Sequence, residues 1–259
     1  MSLREFPEGG YAFVPAVMQY SSGVRALPGF CIERVRFARL VSLRDGFARV
    51  AALLRAAGRP LTAFCACELR SPAPFSEAGF RAFNQEYTGV LKEWGLLESG
   101  SNPVARSNVC PEIDPPSEPS FYGFCYTVPK SASGASGVSS ASVSSYVVAG
   151  AGEVPEGHAN YREHIVALGD TSVDGMRAKA RFVMGEVERR MGLVGGGWAS
   201  VTDVQVYTVF DIHPFLADEV VRRGASAHGV TWHFARPPVV GLEFEVDCRA
   251  VGTERVVAV

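Results

Sequence analysis

The sequence predicts an α+β protein built from two similar modules in tandem, each a β-sheet with two helices packed on one face. Three observations predict it: a low-complexity segment near mid-chain, the same order of cap, helix and strand on either side of it, and a composition that can fill two cores. Residues 131–145 read SASGASGVSSASVSS, and such a stretch buries too little apolar area to offset the entropy of ordering it. It reads as a linker between an N-terminal module, residues 1–130, and a C-terminal module, residues 146–259, each of common domain size. With 47% hydrophobic and 20% charged residues among 259, wholesale disorder is excluded.

The elements follow in order. Tyr11 to Val24 and Phe30 to Ala38 read as a pair of strands. Ser42-Leu43-Arg44-Asp45 then has the form of a helix cap, in which a hydroxyl and a carboxylate satisfy free N–H groups. Phe47, Val50, Leu54 and Ala57 make an apolar stripe that Gly58 and Pro60 end. Leu61 to Leu69 is a strand pattern, and Pro74-Phe75 leads into a second helix. Ser120 to Val128 closes the first half. The second half repeats the scheme: a strand from Tyr146, a cap at Thr171-Ser172-Val173-Asp174, and a stripe of Met176, Ala180, Val183, Met184, Val187 and Met191. A strand from Val201 to Phe210, the link Pro214-Phe215 and a closing strand within Gly241 to Cys248 complete it.

Composition removes several function classes. A net charge of −2 provides no field for nucleic acid or anionic lipid. No apolar run reaches the ~20 residues of a membrane span, and the N-terminal residues lack the order of a signal peptide, so a cytoplasmic location is expected. Six cysteines are few for this length. Cys65 and Cys67, two apart on a strand, would share one face, but no spacing supplies the remaining ligands of a zinc site. Of 25 basic residues only Lys92, Lys130 and Lys179 are lysines. Two lie in amphipathic helical patterns and one borders the linker, so Schiff-base chemistry has no good candidate. No cofactor and no metal are expected.

The order "helix, turn, strand, Pro-Phe, helix" with a closing Glu-apolar-Asp strand resembles the Rid/YjgF superfamily of enamine and imine deaminases, whose modules have a chorismate-mutase-like fold. The two-module form resembles the 2-aminomuconate deaminases within it, which also act on 2-amino-5-chloromuconate. The resemblance implies clefts between modules, an arginine that binds the substrate carboxylate, and a glutamate on the last strand that positions water. Asn102-Pro103-Val104-Ala105-Arg106-Ser107-Asn108 matches the arginine segment, whereas Ala227 to Trp232 in the second half has no arginine. Phe244-Glu245-Val246-Asp247 matches the glutamate strand, whereas Phe121 to Phe124 does not. One complete site therefore requires Arg106 and Glu245 to meet.

Such a site calls for a guanidinium to hold a carboxylate and a carboxyl to move protons. Glu245, Glu112 and His213 are the catalytic candidates. Arg106, Asn108, Tyr20, Arg70, His228, His233 and Arg236 are the substrate-binding ones, because a muconate has two carboxylates and needs a second basic group. Each has a plainer alternative: Arg106 as a surface arginine, Glu245 as part of a solvated strand face, Glu112 as an ion-pair partner of Arg106, His213 as a local backbone contact. The partner expected is a small carboxylate, with no nucleic acid and no membrane, and the chain is expected as a monomer or a homotrimer. Two other functions suit the same scaffold: a chorismatase-like hydrolysis of an enol ether, and non-catalytic binding of a small carboxylate.

Overall fold

The structure is a computed structural model that describes residues 2–97, 100–130, 144–157 and 160–259; most of the Ser/Ala/Gly segment, residues 131–143, lies outside the described residues. Four layers stack in the order helices, sheet, sheet, helices. The strands are β1 (Arg4–Phe6), β2 (Tyr11–Val14), β3 (Gly23–Ala26), β4 (Phe30–Ser42), β5 (Phe64–Arg70), β6 (Ala105–Pro111) and β7 (Ser120–Pro129) before that segment. After it come β8 (Tyr146–Gly152), β9 (Asp203–Tyr207), β10 (Thr231–His233), β11 (Ala235–Arg236), β12 (Glu245–Ala250) and β13 (Thr253–Val257). The helices are α1 (Leu43–Ala56), α2 (Glu77–Glu93), α3 (Val173–Leu193) and α4 (His213–Leu216), the last continued by a π-type turn over Ala217–Val221.

The seven-stranded sheet runs β1-β2-β3-β8-β12-β9-β10 and the six-stranded sheet β11-β6-β5-β7-β4-β13. Sheet membership therefore does not follow the division of the sequence. β1, β2 and β3 precede residue 130 but join β8, through Gly23 opposite Val148 and Val24 opposite Val147. In return β13 runs parallel to β4 and β11 pairs with β6. The span Tyr11 to Val24, expected as one strand, is a hairpin: β2 and β3 flank a loop that carries Tyr20.

The starts of α1, α2 and α3 are explained locally. Ser42 Oγ accepts from the Asp45 amide at 3.2 Å, and Ser76 Oγ accepts from the Gly79 amide at 3.1 Å. At α3 the capping side chain is Ser172, which accepts from Gly175, and not Thr171. Helices α1 and α2 cover the six-stranded sheet through Phe47, Val50, Leu54, Phe80, Tyr87 and Leu91, all buried. Helix α3 covers the other sheet through Met176, Ala180, Val183, Met184, Val187 and Met191. Burial of such stripes drives the layering, at ~1.5–3 kcal/mol for each large side chain.

The two sheets meet through their other faces. Part of that interface is apolar, with Tyr11, Val24, Ile32, Ala66, Ala105 and Val147. The rest is an ionic network. Arg34 holds Glu68 in a two-pronged pair (2.6 and 2.7 Å), Arg249 reaches Asp247 (2.7 Å) and Glu68 (3.4 Å), and Tyr207 Oη donates to Asp247 (2.8 Å). The two guanidiniums and the two carboxylates compensate one another, which buried charges require.

Two cysteine and lysine expectations need correction. Opposite β7 the register of β5 slips between Phe64 and Ala66, and the extra residue turns Cys65 and Cys67 to opposite faces. Cys65 joins the inter-sheet core and Cys67 the helix-side core, where its Sγ lies 3.3 Å from Tyr87 Oη. Lys179 is wholly buried; its Nζ donates to Glu153 (3.3 Å) and to the Val166 carbonyl (3.2 Å). It is thus a closed structural pair.

Candidate active site

Strand β6 lies beside α2 on one side and close to β8 on the other, and a cleft opens where they meet. Alternation along β6 turns Arg106 and Asn108 to the same side. Arg106 and Asn108 line the cleft from β6, Phe80 from α2 and Tyr20 from the β2–β3 loop, while Gly150 (β8), Glu156, Tyr161, Arg190 (α3) and Glu245 (β12) line it from the second half. Arg106 and Glu245 therefore share one cleft.

Arg106 is buried, 4% exposed, and makes no hydrogen bond or ion pair among the described residues. Its guanidinium carbon stands 4.7 Å from the ring centre of Tyr87, 5.3 Å from Phe83, and 5.7 Å from Tyr20 and from Phe80. Aromatic faces stabilise a cation weakly, by ~0.5–2 kcal/mol, far less than the cost of burying an unpaired guanidinium. Nη1 has no partner, and neither has Nδ2 of Asn108, whose Oδ1 accepts from Ser71 Oγ at 3.0 Å. Two donors are thus left for an anion.

Glu245 begins β12, with Phe244, Val246 and Cys248 turned to the α3 core and Glu245 and Asp247 turned to the other sheet. It is no solvated face: every residue of β12 is buried. Burial pushes the Glu245 carboxyl up to about 8, and the nearby Asp247 charge pushes the same way, against Arg190. At neutral pH it is a neutral acid that holds a proton.

Around it, β8 is shaped to leave room. Between the pairs Val246–Ala151 and Cys248–Val148 two residues of β8, Ala149 and Gly150, stand against Asp247 alone. Arg190 Nη1 takes the carbonyls of both (3.1 and 3.0 Å). Its other nitrogens bind Glu186 and Glu156 (2.9 and 2.8 Å), and Ser22 Oγ donates to Glu156 at 3.0 Å. Arg190 is therefore occupied, and Glu156 is a neutralised carboxylate on the cleft wall.

Of the candidates, Arg106, Asn108, Tyr20 and Glu245 line this cleft and the rest do not. Glu112 is exposed and pairs with Arg236 (2.7 and 3.0 Å), not with Arg106; Arg236 also reaches Glu243 at 3.5 Å. His213 is exposed and bonds to Asp211 (2.7 Å). His228 is exposed, in a small hollow beside Trp198 and Asp203. Arg70 lies over the Tyr122 ring (4.2 Å) in the inter-sheet layer. His233 stacks on Tyr207 (5.0 Å) there and meets Gln205 (3.0 Å), and burial, aided by Arg70, lowers it to about 4, so it is uncharged. Sequence reasoning missed Arg190, Glu156 and Tyr161. A signal for Arg190 existed: it stands three residues after Val187 and one before Met191, on the edge of the apolar stripe of α3.

A family model described as 2-aminomuconate deaminase CnbZ matches residues 3–255. A 2-amino-5-chloromuconate deaminase of Comamonas testosteroni is 48% identical over 251 residues, 97% of each chain. Among solved structures, a chorismatase superposes with a TM-score of 0.50 at 13% identity, covering 89% of this chain and 77% of that one, a likeness of fold alone. A YjgF-family protein of Mycobacterium tuberculosis, 21% identical, covers 41% of this chain and 78% of its own, with a TM-score of 0.28. The protein is thus an enzyme acting on C–N bonds. It belongs to the 2-aminomuconate deaminase CnbZ family.

Proposed function

We propose that the protein is a cofactor-independent hydrolase that removes the amino group of 2-aminomuconate, or of its 5-chloro analogue, giving 4-oxalocrotonate or its chloro form and ammonia. The observation that carries this reading is the pairing, in one cleft, of an unpartnered buried guanidinium with a carboxyl that stays protonated at neutral pH. The family and the 48% identical deaminase support the substrate.

In this reading Arg106 and Asn108 bind the carboxylate next to the reacting carbon, with Arg106 donating two parallel N–H bonds. Glu245 gives its proton to a carbon of the enamine, which leaves an iminium at the carbon that bears nitrogen. The Glu245 carboxylate takes a proton from water as the water oxygen adds there. Glu245 then protonates the nitrogen and recovers a proton from the new hydroxyl as the C–N bond breaks. Water supplies the oxygen, the nitrogen leaves as ammonia, and no electrons are exchanged. One carboxyl tuned near the working pH serves every proton step.

A monomer suffices here, because both halves of one chain contribute to the cleft. A cytoplasmic location fits six cysteines that are all free; among the described residues no helix is long and apolar enough to cross a membrane. The test is ammonia release from freshly made 2-aminomuconate by the purified chain, beside pyruvate release from chorismate. Pyruvate without ammonia would replace the deaminase with the enol-ether reading.

A further inference from the structure

The cleft does not end at Phe80 and Tyr161. Beyond them a second lobe opens, which shares Val17, Phe80, Gly157 and Tyr161 with the first and adds Gln19, Glu77, Arg81 and Asn84. Asn84 is the anomaly. It sits on the buried face of α2 among Phe80, Phe83, Tyr87 and Leu91, is 4% exposed, and neither its Oδ1 nor its Nδ2 has a partner. An unpaired buried amide costs ~1–3 kcal/mol for each group, and an apolar residue would pack there without that penalty. Beside it, Arg81 carries an exposed guanidinium whose nearest carboxylate, Glu77, is 4.0 Å away, a separation too long for a hydrogen bond.

We propose that this second lobe is a subsite for the far carboxylate of a dicarboxylate substrate, with Asn84 and Arg81 as its donors. The inference rests on the reading of the first lobe as the place where Arg106 holds the near carboxylate. Arg106 approaches the Phe80 and Phe83 rings from β6, and Asn84 lies four residues, about 6 Å, along α2 from Phe80. A flat conjugated chain lying along Phe80 and Tyr161 thus has a donor set at each end. The subsite sets specificity: a chain with a single carboxylate leaves Asn84 unpaired, and discrimination through unpaired buried polar groups is strong.

The test uses two stable six-carbon dienes of the same geometry as ligands of the full chain, trans,trans-muconate and sorbate, which carries a methyl in place of one carboxylate. Wild type should bind muconate at least about tenfold more tightly than sorbate. Asn84→Leu and Arg81→Gln should each abolish most of that preference and leave sorbate unchanged, whereas Asn84→Asp should repel muconate alone. Asn84→Leu should melt no lower than wild type, since it removes an unpaired amide; should it misfold, Arg81→Gln and Asn84→Asp carry the test. A muconate preference that survives all three variants would overturn the subsite. Sorbate and muconate binding that Arg106→Ala leaves untouched would instead overturn the first-lobe reading beneath it.

Discussion

Gly150 and Glu245 lie so close together that a Cβ on residue 150 would overlap the Glu245 carboxyl and stand 3.3 Å from Ser107 Oγ. The missing side chain is what gives the acid its place. Gly150→Ala should therefore keep the fold and lose activity by ~100-fold, because a displacement of about 1 Å suffices for such losses. Steady-state kinetics with a melting curve alongside would check it; full activity in a folded variant would contradict the packing.

Arg106→Ala should lower kcat/KM by roughly 30- to 1000-fold, the ~2–4 kcal/mol of a charge-assisted pair. Lysine should rescue poorly, since it replaces a planar fork with a point charge. Stability should change little, because the guanidinium has only aromatic faces to lose. Kinetics and denaturant unfolding on the same samples would separate the two effects.

The raised Glu245 acid makes two pH statements. In the mechanism it must start protonated, so kcat/KM should fall above about pH 8, and Glu245→Gln should lower kcat with little change in KM. For stability, the unfolded acid ionises near 4.5 while the folded one keeps its proton to about 8. Folded chains bind the extra proton in that window, so this group's stabilising contribution is whole below 4.5 and is lost as pH rises to 8. Glu245→Gln should remove the loss, and should melt above wild type at pH 8 but not near pH 4. The gain is at most roughly 5 kcal/mol; melting curves across that range would show a parallel offset if the carboxyl were solvated.

Chelators should leave activity unchanged. Cys65 and Cys67 point to different cores, and among the described residues no three His, Cys, Asp or Glu side chains are grouped to hold a metal. Activity lost to a chelator and restored by zinc would reverse this.

Much of the fold was legible because it is written in local patterns: the Ser42 cap, the α3 stripe and the strand, Pro-Phe, helix order all read directly. Arg106 and Glu245 were legible through the motif they match, and no local pattern could bring them together, because that depends on how the sheets face. Arg70, His233 and Arg236 are polar residues on strands that lie outside the cleft, and sequence does not say whether such a residue meets a ligand or the protein itself, here the Tyr122 ring, Gln205 and Glu112. Cys65 and Cys67 were misread because one extra residue reverses alternation, and nothing in Phe-Cys-Ala-Cys announces a bulge. Asn84 hid inside an otherwise ordinary helix face.

The exchange of strands between the sheets has a consequence for the chain as a whole. Since β1 to β3 complete the sheet of the later half and β11 and β13 edge that of the earlier one, neither half carries all the strands its own sheet needs. Two fragments made separately would each bear unpaired strand edges and be prone to aggregate, yet made together they should find one another and assemble without a covalent bond. The bond through residues 131–143 then sets the fragments' concentration, and cutting it should slow assembly far more than it lowers the stability of what is assembled.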